Sequence, residues 1–469
     1  MSFDKSSVLV YMLVTSLVIS ILATTPIYAQ EGEEKVTLTI RVKTLDNVPL
    51  KNAIVKLINA TTGDKIDEDE TSDDGEVDFD VNKNNQYNVS IYFPEDYKVY
   101  SSTIEVGESD QTKDITVDVL SMWVIKVQGK GKYKDPVPSA NVTIIFEEGG
   151  ELIYRESKLT DEDGEAKFGP LPYETYRVLV KWKGFTEEKN KCPELKEEDG
   201  KKAKPYVVEL PLYRVELTIL DRLGSPVEGV EVELWRSVEN EREVIASATS
   251  GSDGRAIIRL IPTNTRCNIS ARLKGITVYE SDEEITVLNG DVAKTLTVDA
   301  VRLNITVLDY DGENIMKDYS MKGELIRNGE VIAEAESIDG ILHFGHTPFE
   351  TYQLKIMLGD LELYSGEYEV DLETAEGSVK AWFYDITLEV NASRLVNASL
   401  AKSLTGRLTA KSFVFEFKTE EWEAKLKDIP RSEDYKVELF YKDKPIAVIE
   451  PIRVTEDNQI VKLNLTGYK

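Results

Sequence analysis

The chain has 469 residues, 41% hydrophobic and 30% charged, with 85 acidic against 56 basic side chains and a formal net charge of -29. That length is too great for one hydrophobic core, so about three to five domains are expected. A charge of this sign disfavours nucleic acid and anionic lipid surfaces as partners, and two cysteines exclude a disulfide framework. Abundant Glu and Lys beside only six Gln lean toward a thermophile that relies on ion-pair networks.

Residues 1–29 have the layout of a secretory signal. Lys5 lies in a short polar start, the apolar run VLVYMLVTSLVISILA occupies 8–23, and a helix-breaking Pro26 precedes small Ala29 at the expected cleavage point. Without cleavage, the threonines and Ile27 extend the run to about 20 residues, enough for an N-terminal membrane anchor. Both alternatives imply an exported chain, extracellular or at the cell surface, that meets the membrane only through this segment. No later stretch comes near the roughly 18 apolar residues of a span. The sequence ends in LNLTGYK without a hydrophobic tail, so no C-terminal anchor is expected.

The rest of the chain repeats. TSDDGEVDFDVNKNNQYNV begins at Thr71, TDEDGEAKFGPLPYETYRV at Thr160, SGSDGRAIIRLIPTNTRCNI at Ser250 and SIDGILHFGHTPFETYQL at Ser337. Their glycines, Gly75, Gly164, Gly254 and Gly340, are 89, 90 and 86 residues apart. A fifth, eroded copy begins at Thr419, with Trp422 in place of the turn dipeptide. Two and four residues after each glycine come apolar side chains, such as Ala166 and Phe168, as in a half-buried strand after an Asp-Gly turn. Pro172, Pro262 or Pro348 follows the glycine by eight residues, and Tyr87, Tyr176 or Tyr352 follows it by twelve. Cys267 takes the tyrosine position in the third copy and reads as a buried core thiol. Ahead of each glycine lie two alternating strands, joined in the first three copies by a turn containing proline. Short strands with frequent turn signals and almost no helical periodicity predict an all-β chain of five tandem immunoglobulin-like or transthyretin-like sandwiches. The expected boundaries are 32–120, 121–212, 213–301, 302–384 and 385–469.

PVEGVEVEL, then SDG, apolar alternation, proline and a strand-opening aromatic together resemble the carboxypeptidase regulatory-like domain, a transthyretin-like sandwich related to collagen-adhesin B-type stalk modules. The resemblance spans the repeats, weakest in the fifth, and implies a secreted, archaeal surface protein whose modules act as spacers or scaffolds.

The acidic knot Asp161, Glu162, Asp163 reads as a turn, because Asp before Gly tolerates the left-handed backbone of a tight hairpin. The loop DEDETSDDG at 67–75 is the best calcium candidate; solvated charge is the alternative preferred. His343 and His346, the only histidines, read as an incidental surface pair, His343 pointing to solvent and His346 at a strand end, with no third ligand. No nucleophile motif or phosphate loop is present, so no catalytic residue, metal or cofactor is expected. Trp123, Trp182 and Trp382 read inward by parity and Trp235 outward, a weak platform for sugar.

The informative surface signal is Asn-X-Ser/Thr, at Asn59, Asn88, Asn141, Asn268, Asn304, Asn391, Asn397 and Asn464. Chance predicts about three such motifs. Asn88, Asn141, Asn268, Asn304 and Asn464 fall on outward strand parity, so glycan attachment is expected, with the preference of Thr for the outer face of a sheet as the competing reading. The function expected is a non-enzymatic, glycosylated, rod-like stalk or adhesive protein whose partners are envelope or surface proteins or glycans. Short junctions with apolar joint residues Leu120, Met122, Leu212 and Val301 predict stiffness; five modules in line give on the order of 180 Å. Two rivals remain: a filament subunit that donates QEGEEKVTLTIRV to a neighbour's sheet, and a carbohydrate-binding accessory of a secreted hydrolase.

Overall fold

The computed structural model describes residues 34–196, 201–281, 283–391, 404–411 and 413–465, and every regular helix or strand element among them is a β-strand. The expected signal or anchor at 1–29 and Asn397 lie outside these residues. The contact pattern separates two compact units, one up to Gln128 with Pro136–Leu210, the other Gly129–Asp135 with Pro211 onward. The first holds the first two sandwiches and the second the last three.

The first sandwich shows how the pattern folds. In strand Lys35–Lys43, Val36, Leu38, Ile40 and Val42 point inward and the residues between them outward, as a period of two requires. It pairs antiparallel with Glu76–Asn82 and parallel with Gln111–Thr116, so both of its edges are occupied. A second sheet, ordered Lys65–Glu70, Ile54–Asn59, Asn85–Tyr92, Lys98–Val106, closes over this one. Side chains from both sheets, among them Leu38, Phe79, Leu57 and Val89, form one core cluster. The three-plus-four arrangement recurs in the second and fifth sandwiches, and the third adds the short strand Ile285–Val287.

Residue Gly164 explains the recurrence of the turn. Its φ is +75°, and a β-carbon there would lie 2.4 Å from the carbonyl oxygen of Val127, so only glycine fits. The Gly164 carbonyl in turn accepts the Val127 amide at 2.7 Å. Gly75 and Gly254 repeat this against Val42 and Ile219. The carboxylate of Asp161 accepts the amides of Asp163 and Glu165, so the knot is a turn. The turn differs from the hairpin expected: in the first three copies it carries the chain from one sheet to the other, and the glycine alone is left-handed. In the fourth copy the turn is one residue shorter. Asp339 and Gly340 both have positive φ, 50° and 77°, and Ile338 pairs directly with Ile341. This two-residue hairpin fuses both sheets of that sandwich into one seven-stranded order. In the fifth copy Trp422 itself adopts φ +81°, and its carbonyl accepts the Val390 amide as the glycine carbonyls do elsewhere.

The Ser or Thr that opens each copy is a clasp. Thr160, 5% exposed, donates its hydroxyl to the Val137 carbonyl at 2.7 Å and accepts the Ala140 amide at 2.8 Å. Thr71, Ser250 and Ser337 make the same pair of bonds to the loop entering their second strands. Thr419 accepts the Leu404 amide. The proline and tyrosine positions belong together as well: Tyr176, Tyr352 and Tyr435 donate their buried hydroxyls to the carbonyls of Pro172, Pro348 and Pro430. Cys267, fully buried in the third core, brings no such hydroxyl, and Thr265 donates to Pro262 instead. Burial raises the Cys267 thiol to about 11, with Glu284 adding to the shift. Cys192 is exposed, and both cysteines are free.

Several expectations are corrected. Met122 is 49% exposed, whereas Leu120, Leu212 and Val301 are buried; it directly precedes inward Trp123 and so takes the opposite parity. Trp382 is only partly buried, beneath the Arg431 guanidinium. A register shift after Tyr384 turns both Phe383 and Tyr384 inward and displaces the alternation read from Ile386. Trp235 lies on the outer face as expected, directly opposite Asn268 in the strand pair, but it is half-buried there under Arg242 at 4.5 Å. Residues 67–70 of the calcium candidate are not a loop but part of strand Lys65–Glu70, which sends successive carboxylates to opposite faces.

Candidate functional site

Of the eight acceptor asparagines, Asn141, Asn391 and Asn464 are exposed, and Asn59, Asn88, Asn268 and Asn304 are half-buried. Each strand asparagine read as outward, Asn88, Asn141, Asn268, Asn304 and Asn464, has a buried apolar neighbour, Val89, Val142, Ile269, Ile305 or Leu465. Their surroundings differ. Asn59 ends its strand and accepts the amides of Thr61 and Thr62, an Asx turn. Asn88 accepts the Thr103 hydroxyl at 2.7 Å. Asn268 faces Trp235 across the strand pair. Asn391 and Asn464 sit side by side on parallel strands, and the Asn391 amide donates to Asn464 Oδ1 at 3.1 Å. The hydroxyl residues of these last two motifs, Ser393 and Thr466, lie outside the described residues.

Asn304 belongs to a denser arrangement. Its amide nitrogen donates to Glu376 at 2.9 Å, and its oxygen lies 2.7 Å from His343 Nδ1. Asn304 and His343 border a cleft of about 500 Å³ where the third and fourth sandwiches meet, lined also by Lys274, Arg302, His346 and Glu228. The strands dictate this gathering. Lys274 and Gly275 form the left-handed turn between Thr265–Leu273 and Ile276–Glu280, and Ile276 joins the core of the fourth sandwich. The turn delivers the half-buried Lys274 against strand Ile341–Pro348, where its ammonium donates to the Phe344 carbonyl at 3.3 Å. Arg302 and His346 are register partners on neighbouring strands.

His343 is exposed, as its parity requires, but His346 is neither at the surface nor at a strand end. Its side chain is 11% exposed, and Nε2 lies 3.3 Å from Asp221 Oδ2 without hydrogen-bond alignment. The other Asp221 oxygen accepts the amides of Leu223 and Ser225. Burial holds the His346 pKa below its ordinary value; Asp221 opposes this, while Arg302 and Lys274 reinforce it. Burial also lowers the Lys274 pKa. Sequence reading missed Lys274, Arg302 and the hydroxyl clasps. A lysine in a Lys-Gly turn reads as solvated, and nothing local reports which strand will meet it.

No family model matches the chain, and no curated protein matches it. Among solved structures it is similar to the Bacillus anthracis TIE protein, at 13% identity over 71% of this chain and 69% of that one, with a TM-score of 0.22. It is also similar to a Streptococcal ancillary pilin, at 11% identity over 56% and 98%, TM-score 0.23. A third is BcpA, the major pilin subunit of Bacillus cereus, at 11% identity over 56% and 99%, TM-score 0.18.

Proposed function

We propose that the chain is a non-enzymatic, glycosylated structural or adhesive protein of a cell surface, a stalk of carboxypeptidase regulatory-like sandwiches from an archaeon, exported by residues 1–29. The observation that carries the reading is the placement of the strand asparagines. All five sandwiches bear at least one acceptor motif, and each asparagine read outward from strand parity lies opposite a buried core residue. What repeats inside the modules is scaffold: the glycine turn, the hydroxyl clasp and the tyrosine-proline bond. Envelope proteins or glycans are the partners that such a surface protein would meet.

The intact mass of the natively secreted protein tests this reading. It should exceed the polypeptide mass by several glycans, and a mass equal to the bare chain overturns it. Small-angle scattering tests the stalk separately: about 180 Å is expected for five modules in line, and a maximum dimension near 100 Å refutes it. In the filament alternative, only residues ahead of Lys35 can be donated, because both edges of Lys35–Lys43 are occupied within its own sheet.

A further inference from the structure

We infer that the cleft between the third and fourth sandwiches binds a small oxyanion, a carboxylate, sulfate or phosphate group, between Lys274 and Arg302. Lys274 is half-buried, and among the described residues its ammonium donates to one acceptor, the neutral Phe344 carbonyl at 3.3 Å. A buried ammonium is costly unless it is paired. Among the described residues, neither Lys274 nor Arg302 has a carboxylate within ion-pair distance, although the chain carries 85 acidic side chains.

The acids nearby are accounted for. Asp221 is held by two backbone amides and faces His346, Glu376 accepts from Asn304, and exposed Glu228 alone lines the cleft. Burial is the sole cause of the lowered Lys274 pKa, with no carboxylate opposing it, as expected of an ammonium that lacks a counter-ion. Burial holds the His346 pKa below its ordinary value; the cationic side chains lining the cleft are Lys274 and Arg302, and Glu228 is the one carboxylate among its lining residues. A volume of about 500 Å³ accommodates an oxyanion with a sugar-sized body. The guanidinium offers two parallel donors and the ammonium a point charge, the usual complement of an oxyanion.

The test uses the chain from residue 30, produced without glycans, titrated calorimetrically with sodium phosphate, sodium sulfate and sodium glucuronate at constant ionic strength. Saturable binding is expected, weakened at least about tenfold by Lys274→Met or Arg302→Gln, the loss of one charge-assisted hydrogen bond. Lys274→Arg should retain most of the affinity, and Lys294→Met, outside the cleft lining, all of it. Equal affinities for the three anions assign the site to the oxyanion alone, and tighter glucuronate binding assigns it to an acidic sugar. Absence of saturation with all three anions overturns the inference, as does wild-type affinity in Lys274→Met. Circular dichroism of each variant separates lost binding from lost folding; Lys274→Met removes a buried charge and should fold as the parent does.

Discussion

Replacing Thr160 by valine keeps the shape of a buried side chain and removes its hydroxyl. The Val137 carbonyl then loses its donor and the Ala140 amide its acceptor, and both residues are fully buried. An orphaned buried backbone group costs about 1–3 kcal/mol. Two of them at about 2 kcal/mol each, less roughly 1 kcal/mol for the added apolar group, give about 3 kcal/mol of local destabilisation. A chain of five sandwiches does not unfold in one step, so native-state hydrogen exchange is the suitable assay. In peptides spanning 137–160, exchange through opening of the sandwich should accelerate about 150-fold. Thr160→Ser keeps both bonds and loses one methyl, so it should cost about 1 kcal/mol. Wild-type protection in Thr160→Val, or equal losses in both variants, would show that the hydroxyl clasp contributes nothing.

Tyr176→Phe should cost about 1 kcal/mol by the same assay, less than Thr160→Val, because the Pro172 carbonyl keeps the Glu174 amide as a second donor; an equal or larger loss contradicts this ranking. His346 has a folded-state pKa below its unfolded value, so the unfolded state binds more protons and stability falls as pH drops from about 6.5 through the lowered value. Exchange of strand Ile341–Pro348 should therefore rise on acidification, and a His346→Gln variant that keeps the same pH dependence refutes the assignment. Asn391 and Asn464 share one patch with their side chains bonded, so a single chain should carry a glycan at one of them only; glycopeptide mapping that finds both occupied on one molecule refutes that.

The strand alternation was legible in the sequence because side-chain direction follows a local period of two. Leu38, Ile40 and Val42, or Tyr176, Val178 and Val180, have their burial written in their spacing. Parity likewise placed Asn141 and Asn464 outward, and spacing placed Cys267 in the core. Where the period breaks, the reading broke with it. The register shift near Tyr384 displaced Trp382 from the alternation read for it.

The recurrence of glycine, serine or threonine, proline and tyrosine was visible in the sequence, but the hydrogen bonds behind it were not. The Thr160 hydroxyl closes on Val137 and Ala140, 20 or more residues away, and their distance is set by how the strands register. One residue fewer before Gly340 turned an inter-sheet connection into a hairpin and merged two sheets. The cleft depended most on tertiary structure. Lys274 reaches a carbonyl 70 residues along the chain because Ile276 of its hairpin enters the next core. Composition and period determined an all-β chain with asparagines facing outward; only the packing of one sandwich on the next decided that a lysine, an arginine and both histidines share a cleft. Side-chain direction is a local property of the backbone, whereas the compensation of a buried charge depends on whatever the fold brings within a few ångströms.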